Sequence, residues 1–148
     1  MDARARPATP NDLDAVRGVF RRAALHWDDD RAWLLANPHH LEWDGGALDR
    51  TLVADDGRAV LGFGGGVPRE GVFEVEDLFV DPPAMGRGVG RILVAALADR
   101  ARALGLPALE VTGNPRALGF YEAVGFRVIG EAATERILAP RLRRPVGT

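Results

Sequence analysis

A chain of 148 residues, 47% hydrophobic and 27% charged with a net charge of -2, suits one domain spanning residues 1–148 and offers no basic surplus for nucleic acid. The absence of Cys, Ser, Lys and Gln excludes disulfides, cysteine metal sites, Ser or Cys acyl-enzymes, Schiff-base lysines and a Walker-type loop with its Lys. The opening "MDARARPATP" has no apolar core of signal-peptide length, and no run reaches the roughly 20 apolar residues of a membrane helix, so a cytoplasmic protein without membrane contact is expected.

The chain starts with a short extended piece. Thr9, Pro10 and Asp12 then form a helix-start signature: a capping hydroxyl, a proline in the first turn and an acid three residues after the cap. Leu13, Val16, Phe20 and Ala24 recur at helical spacing. A short helix is expected from about Asp29 and must stop before Pro38, where a loop rich in Trp and His begins. From Thr51 the period falls to two. "TLVAD", "RAVLGFGGGV" and "VFEVEDLFV" read as strands joined by hairpin turns at Asp56-Gly57 and Arg69-Glu70-Gly71. In the last of these, alternation places Glu74, Glu76, Leu78 and Val80 on one face and Val75, Asp77 and Phe79 on the other. After Pro83 a glycine-rich stretch enters a helix expected to turn Leu93, Leu97 and Leu104 inward and to end on Gly105. "ALEVT" is a strand, Asn114 and Pro115 open another helix, "FRVIGEAATERIL" holds a final pair of strands, and "RLRRPVGT" reads as a frayed tail. The order β-α-α-β-β-β-α-β-α-β-β predicts an α+β domain with a mostly antiparallel sheet.

The glycine stretch "PPAMGRGVGRILVAAL" fails as a dinucleotide fingerprint, because "GRGVG" is G-x-G-x-G and no acidic residue closes a parallel βαβ unit behind it. A plain turn would need only one glycine. Gly86, Gly88 and Gly90 strip side chains from a row of backbone just where a helix presents its unpaired N–H groups, an arrangement suited to an anion such as a pyrophosphate. Arg87 and Arg91 either add charge at its rim or are ordinary solvated helix residues.

Taken together, "DLFVDPPAMGRGVGRIL" and the downstream "NPRALGFYEAVGF" resemble the GNAT superfamily of acyl-CoA N-acyltransferases, over essentially the whole chain. The resemblance implies a GNAT-like mixed, mostly antiparallel central sheet flanked by helices on both faces, with acetyl-CoA as co-substrate. It implies that Val80 bonds the pantetheine arm through its backbone, that the N–H groups of Arg87, Gly88, Gly90 and Arg91 hold the CoA pyrophosphate, and that Asn114 meets the pantetheine from a neighbouring strand end. Tyr121 would sit near the thioester sulfur as the acid. Met85 departs from the family pattern, which has Gln or Arg at that loop position, and implies altered anchoring of the pyrophosphate. The acceptor would be a small-molecule or peptide amine, and a homodimer is an option. The alternative is a non-catalytic acyl-CoA-binding or regulatory module of the same fold.

The chemistry can be argued from the residues themselves. An alkylammonium with a pKa near 10.4 is deprotonated in about one molecule in two thousand at pH 7, roughly 4.6 kcal/mol uphill, so a proton acceptor is needed. Glu74 and Glu76, sharing one strand face, are the candidates, against a plain solvated face. Full proton transfer from Tyr121 to a thiolate would be uphill by about 2 kcal/mol at ordinary pKa values, so hydrogen bonding to the departing sulfur is the more economical role. With no Ser or Cys nucleophile, direct attack of the amine on acetyl-CoA in a ternary complex fits. His26, His39 and His40 match no metal-ligand spacing, and no metal is expected. Together with Trp27, Trp33 and Trp43, two of them (His39 and His40) either wall an acceptor pocket or simply pack on the sheet.

Overall fold

The computed structural model describes residues 2–135 and 137–147, the side chains of Asp28 and Asp29 excepted. Its strands are β1 (Arg4–Pro7), β2 (Thr51–Asp55), β3 (Val60–Arg69), β4 (Val72–Val80), β5 (Ala108–Thr112), β6 (Arg127–Ala133) and β7 (Leu138–Pro145), ordered β1-β2-β3-β4-β5-β7-β6. The β4–β5 pair is parallel, whereas β1–β2, β2–β3, β5–β7 and β6–β7 are antiparallel. The helices are α1 (Leu13–Ala24), α2 (Asp28–Ala36), α3 (Val89–Ala103) and α4 (Leu118–Ala123). Two compact units result: residues up to Gly65 with Asp77–Leu93, and Gly66–Glu76 with the residues from Val94 on. Among the described residues no helix is long and apolar enough to cross a membrane.

In the first unit, strand alternation distributes the core. Val53 of β2 joins Val16 and Val19 of α1, Trp43, Ala47 and Phe63, whereas its neighbour Ala54 joins Ala84, Val89 and Leu93. Successive strand residues point to opposite faces, so α1 covers one face of this part of the sheet and the start of α3 the other. The beginning of α1 is fixed by Asp12, which accepts from the Thr9 N–H at 2.7 Å and the Thr9 hydroxyl at 3.2 Å. Arg6 of β1 grips the same carboxylate with two bonds of 2.8 and 3.0 Å and reaches Asp55 of β2 at 2.9 Å. Arg6 thereby holds the largely buried Asp12 carboxyl down from 3.8 to about 2. The Trp- and His-rich loop contains two 3-10 turns, Pro38–Leu41 and Gly45–Arg50. Trp43 between them is core: its ring meets Phe63 edge-on at 5.4 Å and its Nε1–H donates to Asp77 at 3.1 Å.

In the second unit two expectations are corrected. "RLRRP" is no frayed tail: it lies in β7, which pairs with β5 from Ala108↔Pro145 to Thr112↔Arg141 and with β6 on its other side. The reason is burial, since Leu142 and Val146 are in the core and the flanking arginines alternate outward to acidic partners. Leu104, expected inward, is 52% exposed. Helix α3 ends one residue earlier, where Gly105 at φ 72° lets its own N–H bond Arg102 O at 3.0 Å and the Leu106 N–H bond Ala101 O at 2.9 Å. That pair of bonds closes the last turn and leaves Leu104 outside it.

Candidate active site

The predicted anchoring residues Val80, Arg87, Gly88, Gly90 and Arg91 gather around one connection in the first unit. At its start the Asp81 N–H bonds Leu61 O at 2.8 Å, and the Asp81 carboxylate takes a two-point contact from Arg22 of α1 at 2.8 and 3.1 Å. A 3-10 turn, Pro82–Ala84, follows. Gly86 and Gly88 then adopt left-handed φ values of 80° and 81°, with nothing within 4 Å of where a Cβ would stand. Glycine is required here for its backbone conformation, and the space above the loop is open. Helix α3 begins at Val89, and the Ile92 N–H returns to Gly88 O at 3.1 Å. The N–H groups ahead of Ile92 therefore precede the first helical donor and lie at the positive end of the helix dipole. Val80 packs with Val89 and Leu93, which ties the strand end to the helix start. Arg87, Arg91 and Met85 are exposed.

Glu74, Glu76, Asn114 and Tyr121 belong to the second unit. The β4–β5 ladder runs from Phe73↔Leu109 to Val75↔Val111, and β4 continues beyond its last β5 pair. Asn114 caps the turn that leads into α4, its side-chain oxygen accepting from the Arg116 N–H at 2.9 Å. Tyr121 of α4 is 6% exposed. Its ring meets Phe126 at 5.3 Å and Phe120 at 5.4 Å, both edge-on, and a Cβ on Gly113 would come within 2.7 Å of the ring, so only glycine admits it at the end of β5. Burial pushes the phenol up to about 12. At neutral pH it is a hydrogen-bond donor.

The two candidate carboxylates differ sharply. Glu74 is held by Arg141 of β7 through two bonds of 2.6 and 2.9 Å, with side chains only 12% and 23% exposed. Arg141 also donates to Glu110 at 2.9 Å and to Thr112 at 3.1 Å, and Arg143 donates to Glu110 at 2.7 Å. Glu76 is exposed and stands 3.5 Å from an Arg69 nitrogen. Sequence reasoning missed Glu110, Arg141 and Arg143. The signal was the alternation Arg141-Leu142-Arg143, which is that of a half-buried strand.

Residues 14–126 match the model of the Acetyltransferase (GNAT) family. The N-alpha-acetyltransferase RimI of Mycobacterium tuberculosis (strain ATCC 25618 / H37Rv) is 42% identical over 141 residues, covering 88% of this chain and 85% of that protein. Two crystal structures share the fold. One is PaiA N-acetyltransferase from Thermoplasma acidophilum in complex with coenzyme A (TM-score 0.77, 15% identity, 98% and 99% of the two chains). The other is the ribosomal-protein-S18-alanine N-acetyltransferase from Escherichia coli (TM-score 0.72, 19% identity, 99% and 96%).

Proposed function

The chain belongs to the GNAT acetyltransferase family and is an acyltransferase, a premise from which we propose that it moves an acetyl group directly from acetyl-CoA to the N-terminal α-amine of a polypeptide. The observation that carries the acceptor class is the 42% identity, across most of both chains, to an N-alpha-acetyltransferase. An α-amine with a pKa near 7.8 costs only about 1 kcal/mol to deprotonate at pH 7, against about 4.6 for a lysine side chain, so an exposed carboxylate is a sufficient base.

In this reading the donor supplies an activated acetyl thioester. The residues present fit such a ligand: an open left-handed glycine turn feeding a helix start offers unpaired N–H groups to a pyrophosphate. Arg87, Gly88, Gly90 and Arg91 hold the pyrophosphate, and Val80 and Asn114 orient the pantetheine. Glu76 takes the proton from the ammonium, directly or through water, before the amine nitrogen bonds the acetyl carbon. As the carbon–sulfur bond breaks, the Tyr121 hydroxyl hydrogen-bonds the departing sulfur. With the phenol at about 12, complete transfer to a thiolate near 8.5 would cost about 5 kcal/mol, so Tyr121 stabilises charge, and the second proton of the amine nitrogen, released as the amide forms, reaches the sulfur through water.

Thiol release from acetyl-CoA, followed across a panel of amines, tests the proposal. Turnover with a free α-amine supports it. Coenzyme A binding with no amine acetylated would favour a non-catalytic module instead.

A further inference from the structure

Helix α4 carries Tyr121 and is only six residues long. Isolated helices shorter than about 12 residues are marginal in water, so its surroundings must hold it in place. Its C-terminal end is closed by a Schellman motif. The Gly125 N–H bonds Glu122 O at 3.2 Å, the Phe126 N–H bonds Tyr121 O at 3.0 Å, and Gly125 takes the left-handed φ of 99° that this turn requires. The edge-on contact of Phe126 with Tyr121 at 5.3 Å is the apolar half of the same motif. These bonds engage the carbonyls of Tyr121 and Glu122 and leave that of Val124, a buried residue, to be met from elsewhere. The donor is Nε of Arg144, at 2.9 Å. Arg144 belongs to β7, opposite Leu109 of β5, and its stem lies across Gly125, where a Cβ would come within 3.3 Å of Nε and 3.6 Å of Cγ.

Packing alone does not account for an arginine at this place. Its Nη1 is buried and meets no hydrogen-bond acceptor among the described residues. An unmet charged donor away from water costs stability, and an apolar side chain of similar length would fill the space without that cost. What a donor fixed to the sheet supplies, and an apolar chain does not, is a defined position for the carbonyl that ends the helix. We propose that Arg144 is a positioning residue for acetyl transfer: by tying the end of α4 to β7 it fixes the direction of the Tyr121 hydroxyl. This rests on the reading given above, in which that hydroxyl hydrogen-bonds the departing sulfur. Arg144 acts through Tyr121 rather than on the substrate. Less than one helical turn separates Val124 from Tyr121, so slack at the carbonyl passes to the ring, and a misplacement of about 1 Å in a catalytic group can cost on the order of 100-fold in rate.

Two measurements on the full-length protein test this, and the first needs no activity. Because Tyr121 is the single tyrosine, protein labelled with 13C in tyrosine rings gives one set of ring resonances, displaced from their denatured-chain position by the rings of Phe120 and Phe126. Arg144→Met shifts them toward that position while the tryptophan side-chain signals stay in place. Unmoved tyrosine resonances would overturn the proposal. The second is a double-mutant cycle on acetyl transfer to a peptide α-amine. Arg144→Met lowers kcat about tenfold with the KM for acetyl-CoA within about twofold of the parent, and the same substitution made on Tyr121→Phe changes kcat by less than about twofold. An equal loss in both backgrounds would also overturn it, because an arginine that only supports the fold costs the same with or without the hydroxyl. Arg144→Lys, which keeps the charge but not the flat guanidinium over Gly125, carries the same cycle if the methionine variant does not fold. A loss of about threefold that vanishes beside Tyr121→Phe supports the proposal, and one that persists overturns it. Should the unsubstituted protein acetylate nothing, the transfer reading fails while the ring resonances still decide whether Arg144 holds Tyr121, so the two failures are separable.

Discussion

Tyr121 is the chain's single tyrosine, so its ionisation can be followed without assignment. Burial among Phe120, Phe126 and Gly113 raises the phenol from the ordinary 10 to about 12, and the ultraviolet difference spectrum of the native protein should show no tyrosinate band below about pH 11. The denatured chain should show one near pH 10. Because the neutral form is favoured by folding, this group's contribution to stability is complete below about pH 10 and is lost as the pH rises toward 12. Tyr121→Phe should lower kcat on the order of 100-fold with little change in the KM for acetyl-CoA, since the hydroxyl is needed only as the carbon–sulfur bond breaks. A kcat within twofold of the parent would remove Tyr121 from the mechanism. The candidacy of Tyr121 was legible in "GFYEAVGF" because the motif is local. That Glu74 is clamped was not, because its partner lies 67 positions away on a strand whose pairing no local pattern announces.

Elements show the same division between local and distant causes. Strands β2, β4 and β5 fall on "TLVAD", "VFEVEDLFV" and "ALEVT", since period-two patterning and turn residues are properties of short stretches. The last strand begins three residues before "RLRRP" and runs through it because β5 needs a partner on its second edge and Leu142 fills the core there, which only the assembled sheet decides. At the glycine turn, Gly88→Ala must hold an alanine at φ 81°, a strain of roughly 1–2 kcal/mol. It should raise the KM for acetyl-CoA about tenfold or more with a smaller effect on kcat, and steady-state kinetics at saturating acceptor would show this. At the start of α1, Asp12→Asn removes the negative charge and one of the two oxygens that accept from Arg6 and Thr9. The depressed carboxyl contributes about 2 kcal/mol that is present above about pH 4 and lost as the pH falls to about 2. Urea unfolding should therefore separate Asp12→Asn from the parent at pH 7 and bring the two together near pH 2.

On the scale of the whole molecule, the chain composition excludes covalent acyl-enzyme routes through Ser or Cys, and its family membership makes it an acyltransferase. What the fold alone does not carry is the acceptor, because relatives of this fold act on different amines. The central claim is that the acceptor is a polypeptide α-amine, met by a base that need remove only a weakly held proton. The most direct measurement is mass spectrometry of peptides incubated with the protein and acetyl-CoA, using matched pairs that present either a free N-terminus with no lysine or a blocked N-terminus with one lysine. Acetyl groups should accumulate on the free α-amine of the first peptide and at least tenfold more slowly on the lysine of the second. Equal or faster modification of the lysine peptide would contradict the account.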